Sequence, residues 1–158
     1  MKTRMAAWAG ALAVLIGADA LRAHHSSSMF DIETPIWVKG SVVRWEPRNP
    51  HVMVTIEERG EDGRTYRRLV EGPPLYKFDR LGVGPDLLQV GDRVEFCGFA
   101  LKESVAAQRV YTDPPGVTLQ FVHGHVLVMP DGRSRLWGSY GRTEKCLRPG
   151  ETKESIAW

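Results

Sequence analysis

Residues 36–71, IWVKGSVVRWEPRNPHVMVTIEERGEDGRTYRRLVE, decide the fold. Apolar residues alternate through 36–45: Ile36, Val38 and Val42 fall on one face, and Trp37, Val43 and Trp45 on the other, which is the period of two that a strand imposes. Gly40 interrupts this run at a place where a missing side chain permits a bend or a β-bulge. In 51–57, Val52, Val54 and Ile56 share a face. The turn Gly60-Glu61-Asp62-Gly63 then leads to a third run at 65–71. Three such runs with short connections predict a meander.

Downstream, Pro73-Pro74 opens a short helix in which Leu75, Phe78 and Leu81 recur at three-residue spacing before Gly82 stops it. Leu88-Gln89-Val90-Gly91-Asp92 turns into a fourth strand at 93–99. Further strands are expected at 105–112 and 117–129, and Pro130-Asp131-Gly132 turns into another at 134–140. Three strands, a helix and more strands is the order of an OB-like barrel. The chain is therefore predicted to be all-β with one short helix: a small OB-like β-barrel, closed or partly open, with an open β-sandwich as the alternative. Closure would protect strand edges that otherwise invite pairing with other chains. A single β-barrel domain that includes an N-terminal arm is expected over 24–145. A polar, loosely ordered C-terminal tail at 146–158 follows, held only through Cys146.

Upstream, Lys2 and Arg4 precede an uninterrupted apolar run, MAAWAGALAVLIG at 5–17. As a helix it would be about 20 Å long against a hydrocarbon core of about 30 Å, too short for a stable span. Small residues at Ala18, Ala20 and Ala23 suit a signal peptidase, so 1–23 is read as a cleavable signal peptide, cut after Ala20 or Ala23. The expected location is the periplasm or the exterior of a bacterial cell, with no membrane span after cleavage. The chain carries 21 basic and 19 acidic residues, and three of the former and one of the latter precede His24, which leaves 18 of each. A near-neutral mature chain lacks the basic surface that nucleic acid requires. Two cysteines, Cys97 and Cys146, are expected to form a disulfide in an oxidising compartment.

Histidine is the informative residue type. All five lie beyond the leader, at His24, His25, His51, His123 and His125. If cleavage follows Ala23, the new amine and the Nδ1 of His24 can chelate one metal, because the amine pKa of about 8 lets a metal displace its proton near neutrality. His51 and Met53 share a strand face opposite Val52 and Val54, which places imidazole and thioether together, a donor pair that suits copper. His123 and His125 form the weaker metal candidate: flanked by Phe121 and Leu127, they equally suit a half-buried pair satisfied by hydrogen bonds. Glu71 ends an apolar run just before Gly72-Pro73-Pro74, where it could cap the helix or contact a ligand. Ser26, Ser27 and Ser28 lack the strand–turn–helix context of a nucleophile. No phosphate-binding glycine loop is visible.

Taken in order, His24-His25-Ser26, Phe30-Asp31, Gly40-Ser41-Val42, Trp45, Asn49-Pro50-His51, Val70-Glu71-Gly72-Pro73 and Val90-Gly91-Asp92-Arg93-Val94 give a resemblance. The chain resembles an uncharacterised family of small exported bacterial proteins, a domain of unknown function marked by an N-terminal His-His-Ser and an Asn-Pro-His segment. The resemblance spans 23–98 and implies an exported β-barrel. It draws attention to His24, His25, Asn49, His51 and Glu71 as one site. The functional expectation is a binding module rather than an enzyme. Copper would be held by His24, His25 and His51, with zinc as the alternative metal and with Asn49, Met53 and Glu71 as supporting contacts. The rival expectation is a metal-free module that binds a periplasmic protein or small ligand on the face carrying Trp37 and Trp45. A copper-dependent oxidoreductase ranks third.

Overall fold

The computed structural model describes residues 27–107, 111–112, 118–138 and 141–158; the leader and the His24-His25-Ser26 segment lie outside these. The strands are β1 (Ile36–Glu46), β2 (Met53–Arg59), β3 (Thr65–Glu71), β4 (Arg93–Ala100), β5 (Tyr111–Thr112), β6 (Thr118–Val128) and β7 (Ser134–Leu136), with helix α1 (Leu75–Arg80) between β3 and β4. Neighbouring strands run β3-β2-β1-β4-β6, and β3 pairs with β6 in parallel, so the ladder returns on itself as a closed five-stranded barrel. This is the OB-like order expected from the sequence. Closure leaves β1–β4 and β6 without a free edge within the barrel wall.

Alternation fills the interior. Val38, Val42, Val54, Ile56, Val70, Val94, Phe96, Val122 and Leu127 belong to one buried cluster with Phe78 of α1 and Trp137. Each such apolar side chain contributes about 1.5–3 kcal/mol on burial. Trp137 plugs one end of the barrel: its ring packs 5.1 Å from Phe96, 5.2 Å from Phe78 and 5.9 Å from Trp45. Phe78 in turn takes Trp158 edge-on at 5.9 Å.

Two β-bulges shift the side-chain phase, and they explain where simple alternation misleads. In β1, Val42 faces Ile56 and Arg44 faces Thr55, so Val43 is the extra residue. The strand's parity reverses there, and Trp45 joins the core side instead of the outer face shared with Trp37. The Trp45 Nε1–H donates to the Pro85 carbonyl at 2.6 Å, while Trp37 remains 43% exposed under Arg148. The two tryptophans therefore do not form one exposed ligand face. Gly40, the expected bulge position, serves another need: a Cβ there would overlap the Glu57 carbonyl, so its absence lets β1 cross closely over β2. In β6, Cys97 faces Val126 and Gly98 faces Gly124, which makes His125 the extra residue. Leu127 consequently turns into the barrel core, away from the face on which it was expected to flank His123.

Other departures are local. Leu81 is 51% exposed because α1 ends at Arg80; Leu81 caps it and Gly82 turns away at φ +71°. The strand expected over 105–112 is replaced at its start by a helical turn, Glu103–Ala106, whose Val105 and Ala106 amides both donate to the Lys102 carbonyl at 2.9 Å. Glu and Ala are good helix formers, so local propensity overrides the apolar alternation. The C-terminal tail, expected to be loose, is packed. The Leu136 amide donates to the Ile156 carbonyl at 2.8 Å, Ile156 is buried, and the Trp158 indole donates to the Leu136 carbonyl at 2.6 Å.

The Cys97–Cys146 disulfide forms as expected, with the Cα atoms 5.5 Å apart. It is enclosed by a second cluster of Val126, Leu136 and Ile156 on the outside of β4 and β6. In the chain-entropy account, a closed loop of this length stabilises by about 4 kcal/mol. The C97A/C146A double variant is therefore expected to lose about that much in urea unfolding. Neither cysteine of the oxidised protein should react with a thiol label after non-reducing denaturation. Labelling of both would remove the bridge.

His125, displaced by the bulge, is 3% exposed and lies edge-on to Phe99 at 4.9 Å, with Nδ1 3.4 Å from the Thr143 hydroxyl. Burial, and secondarily the charge of His123, lowers its pKa to about 4. The folded protein thus holds His125 neutral where the unfolded chain binds a proton. Stability must fall as pH drops from about 6.5 towards about 4, by up to about 3 kcal/mol from this residue. Urea unfolding of the metal-free protein across that window should show the loss, and His125→Gln should flatten it. Parallel curves for the two proteins would contradict a neutral, buried His125.

Candidate functional site

The site is built where β2, β3 and β6 come together. Antiparallel pairing sets Met53 opposite Glu71, and parallel pairing sets Glu71 opposite His123. Side chains at paired positions emerge on the same face, so Met53, Glu71 and His123 form a row on the outside of the barrel. The β2–β3 ladder continues one step further: the Val52 amide donates to the Pro73 carbonyl at 3.0 Å, and the Gly72 amide to the Val52 carbonyl at 2.9 Å. That extension carries His51 alongside Glu71.

One carboxylate then meets two imidazoles. The Nδ1 of His51 lies 3.3 Å from Glu71 Oε1 and 3.0 Å from the Gly72 carbonyl oxygen. The Nδ1 of His123 lies 3.3 Å from Glu71 Oε2. The side chains of Glu71, His51 and His123 are 18%, 26% and 30% exposed, so the group sits half-buried at the rim. The chemistry assigns the protons. A carbonyl and an ionised carboxylate only accept, so Nδ1 of each ring carries the hydrogen. In the neutral imidazole the lone pair then belongs to Nε2.

The backbone beneath this group is fixed by Trp137, whose indole N–H donates to the Glu71 carbonyl at 3.3 Å. Two glycines make room for that indole. A Cβ on Gly72 would lie 2.7 Å from Trp137 Nε1, and one on Gly124 2.9 Å from the same atom. The remaining face of His123 is covered by Phe30, stacked at 5.1 Å and 29°, while His125 stands edge-on at 5.1 Å. Phe30 is itself buried, bridged to Leu101.

The expected site residues are distributed as follows. His51 and Glu71 meet, and Met53 shares their row. Asn49 is exposed, ahead of a cis bond to Pro50. His24 and His25 lie outside the described residues. His123, ranked below His51 from sequence, shares Glu71 with it, so the two histidine groups are not separate. His125 is buried beside Phe99 and Thr143. Glu71 does not cap α1, which has no side-chain cap; its carboxylate turns to the imidazoles. Sequence reading missed Phe30, Thr143 and Trp137 as supports of the site. Phe30-Asp31 was visible as a motif, but its contact with β6 depends on pairing across 70 residues or more. Among the described residues, no group of three His, Cys, Asp or Glu side chains is placed to hold a metal ion. No helix there is long and apolar enough to cross a membrane.

Residues 12–108 match a family of unknown function, DUF6152. The match takes in His24, His25, His51 and Glu71 and ends before β6, so His123 and Cys146 lie beyond it. No curated protein matches the chain. With more than half of its length matched, the chain belongs to the DUF6152 family.

Proposed function

We propose that the protein is an exported β-barrel module that binds one Cu(II) ion at the barrel rim, with Nε2 of His51 and His123 as ligands and His24 and His25 completing the set. The observation that carries this reading is the shared carboxylate: Glu71 faces Nδ1 of both rings. Metal-ligating histidines characteristically donate their other ring N–H to a carboxylate or a backbone carbonyl, which fixes the tautomer and raises ligand basicity. Here Glu71 and the Gly72 carbonyl supply both kinds of acceptor. Two barrel imidazoles do not make a complete site, so further donors are needed. The chain carries them upstream of Phe30, which lies on His123: His25 is five residues before Phe30, a chain reach of at most about 18 Å.

Nitrogen donors favour Cu(II), which tops the divalent affinity order for such ligands. Zinc accepts the same set in tetrahedral form and is the natural competitor. Export is supported by the leader-like N-terminus and by the disulfide, which persists in oxidising compartments. Release by signal peptidase after Ala23 would leave His24 with a free amine as an additional donor.

Titration calorimetry of mature protein, purified without chelator or affinity tag, tests the reading. Intact mass establishes whether the chain starts at His24. One Cu(II) per chain is expected, and His51→Ala and His123→Ala should each lose at least about tenfold in affinity, about 1.4 kcal/mol. Glu71→Gln should lose about tenfold through the weaker hold on both rings. No Cu(II) binding, or equal binding by wild type and His51→Ala, would overturn the site.

A further inference from the structure

Three side chains of the short 3-10 turn Thr143–Cys146 tie it to the barrel and the N-terminal arm, and the fourth, Glu144, pairs with Lys153 of the tail at 2.9 Å. Thr143 meets His125, Cys146 is bonded to Cys97, and Lys145 reaches across to the N-terminal arm. Lys145 Nζ lies 3.1 Å from the Ile32 carbonyl, 3.3 Å from the Glu33 carbonyl and 2.7 Å from Glu33 Oε2. An ammonium has three donors, and these acceptors use all of them. The arm is held on its other side by β4: the Asp31 amide donates to the Ala100 carbonyl and the Lys102 amide to the Met29 carbonyl, both at 2.9 Å. Between these fixings stands Phe30, stacked on His123.

We infer that Lys145 is a latch that seats the N-terminal arm, and with it Phe30, against the rim site, and that the Cys97–Cys146 bridge anchors the latch. The inference rests on the proposed metal-binding role for the consequence it draws, and on the arm contacts alone for the latch itself. The contact is specific because two of its three acceptors are main-chain carbonyls, which place Ile32 and Glu33 irrespective of side-chain rotamer. An exposed Lys–Glu pair alone would stabilise by only about 0–1 kcal/mol. Lys145 therefore acts on where the arm lies more than on whether the barrel folds.

The anchor is a fixed one. Cys97 and Cys146 are 0% and 1% exposed, so a dithiol reductant cannot reach the sulfurs without opening the outer cluster. The work of the bridge is positional: it fixes Cys146 to β4, and Lys145, the residue before it, is thereby aimed at the arm. A tethered donor acts at high effective concentration only while its tether keeps it near the site. Loosening the arm lowers that concentration for His24 and His25, and it also takes the Phe30 ring off His123.

Lys145→Met and Lys145→Arg in the otherwise native mature chain test the latch by two readouts. The first is amide exchange at Asp31 and the ring-proton shifts of His123 in metal-free protein, which follow arm seating directly. The second is Cu(II) affinity. Lys145→Met should speed Asp31 exchange at least about fivefold and move the His123 ring protons, with the melting temperature nearly unchanged. It should also weaken Cu(II) about three- to tenfold, and Lys145→Arg should restore most of each effect. Unchanged exchange and ring shifts in Lys145→Met would overturn the latch. Altered exchange in Lys145→Met, together with no Cu(II) binding by the wild type, would keep the latch and reject the metal site, so the two failures are distinguishable.

Discussion

The parallel pairing of β3 with β6 is the constraint on which the rest of the structure depends. It joins residues about fifty positions apart, and it both closes the barrel and sets Glu71 beside His123. Without it, β3 and β6 would present free edges, and the carboxylate would face His51 alone. Closing so long a loop costs entropy before any contact is made, and the cost is recovered only when the interior valines and phenylalanines pack. Fold and site are therefore one event: the register that buries Val70 and Val122 together also places Glu71 and His123 side by side.

Trp137 links the barrel core to the rim. Its ring fills one end of the barrel against Phe78 and Phe96, and its indole N–H holds the Glu71 carbonyl. The glycines at 72 and 124 are small because the indole occupies the space their side chains would need. A rigid hydrophobic plug thus supports a half-exposed polar group. This separation suits a binding site: the imidazoles meet solvent, while the backbone that aims them is buried. The bulge at His125 adds a second effect. It directs one imidazole inward to Thr143 and leaves His123, two residues earlier, at the rim.

Much of the fold was legible in sequence because period-two alternation and turn chemistry are local. The meander over 36–71, the Pro-initiated helix and the order of strands and helix followed from them. What was not legible follows from non-local packing. Nothing in residues 36–46 marks Val43 rather than Gly40 as the bulge, so the side taken by Trp45 was unreadable. Glu103 to Ala106 alternate weakly enough that helix propensity decides. Ile156-Ala157-Trp158 is a short apolar run after a polar stretch, and only the open flank of β7 and α1 gives Ile156 and Trp158 a place. Of the site, His51 and Met53 could be grouped because they share one strand face, and Glu71 joined them only through the family resemblance. The partnership of Glu71 with His123 could not, because it requires the β3–β6 register. Membership of the family adds His24, His25, His51 and Glu71 within one matched segment, but it does not reach β6.

The central claim is that one carboxylate fixes two imidazoles from separate strands with their Nδ1 hydrogens turned inward. A two-bond proton–nitrogen correlation spectrum of ¹⁵N-histidine-labelled, metal-free protein, recorded above the range in which imidazoles protonate, reads the tautomers directly. His51 and His123 should both appear as the Nδ1–H form, and Glu71→Ala should release His123 towards the Nε2–H form while the Gly72 carbonyl still holds His51. An Nε2–H tautomer at either ring in the native protein would contradict the arrangement.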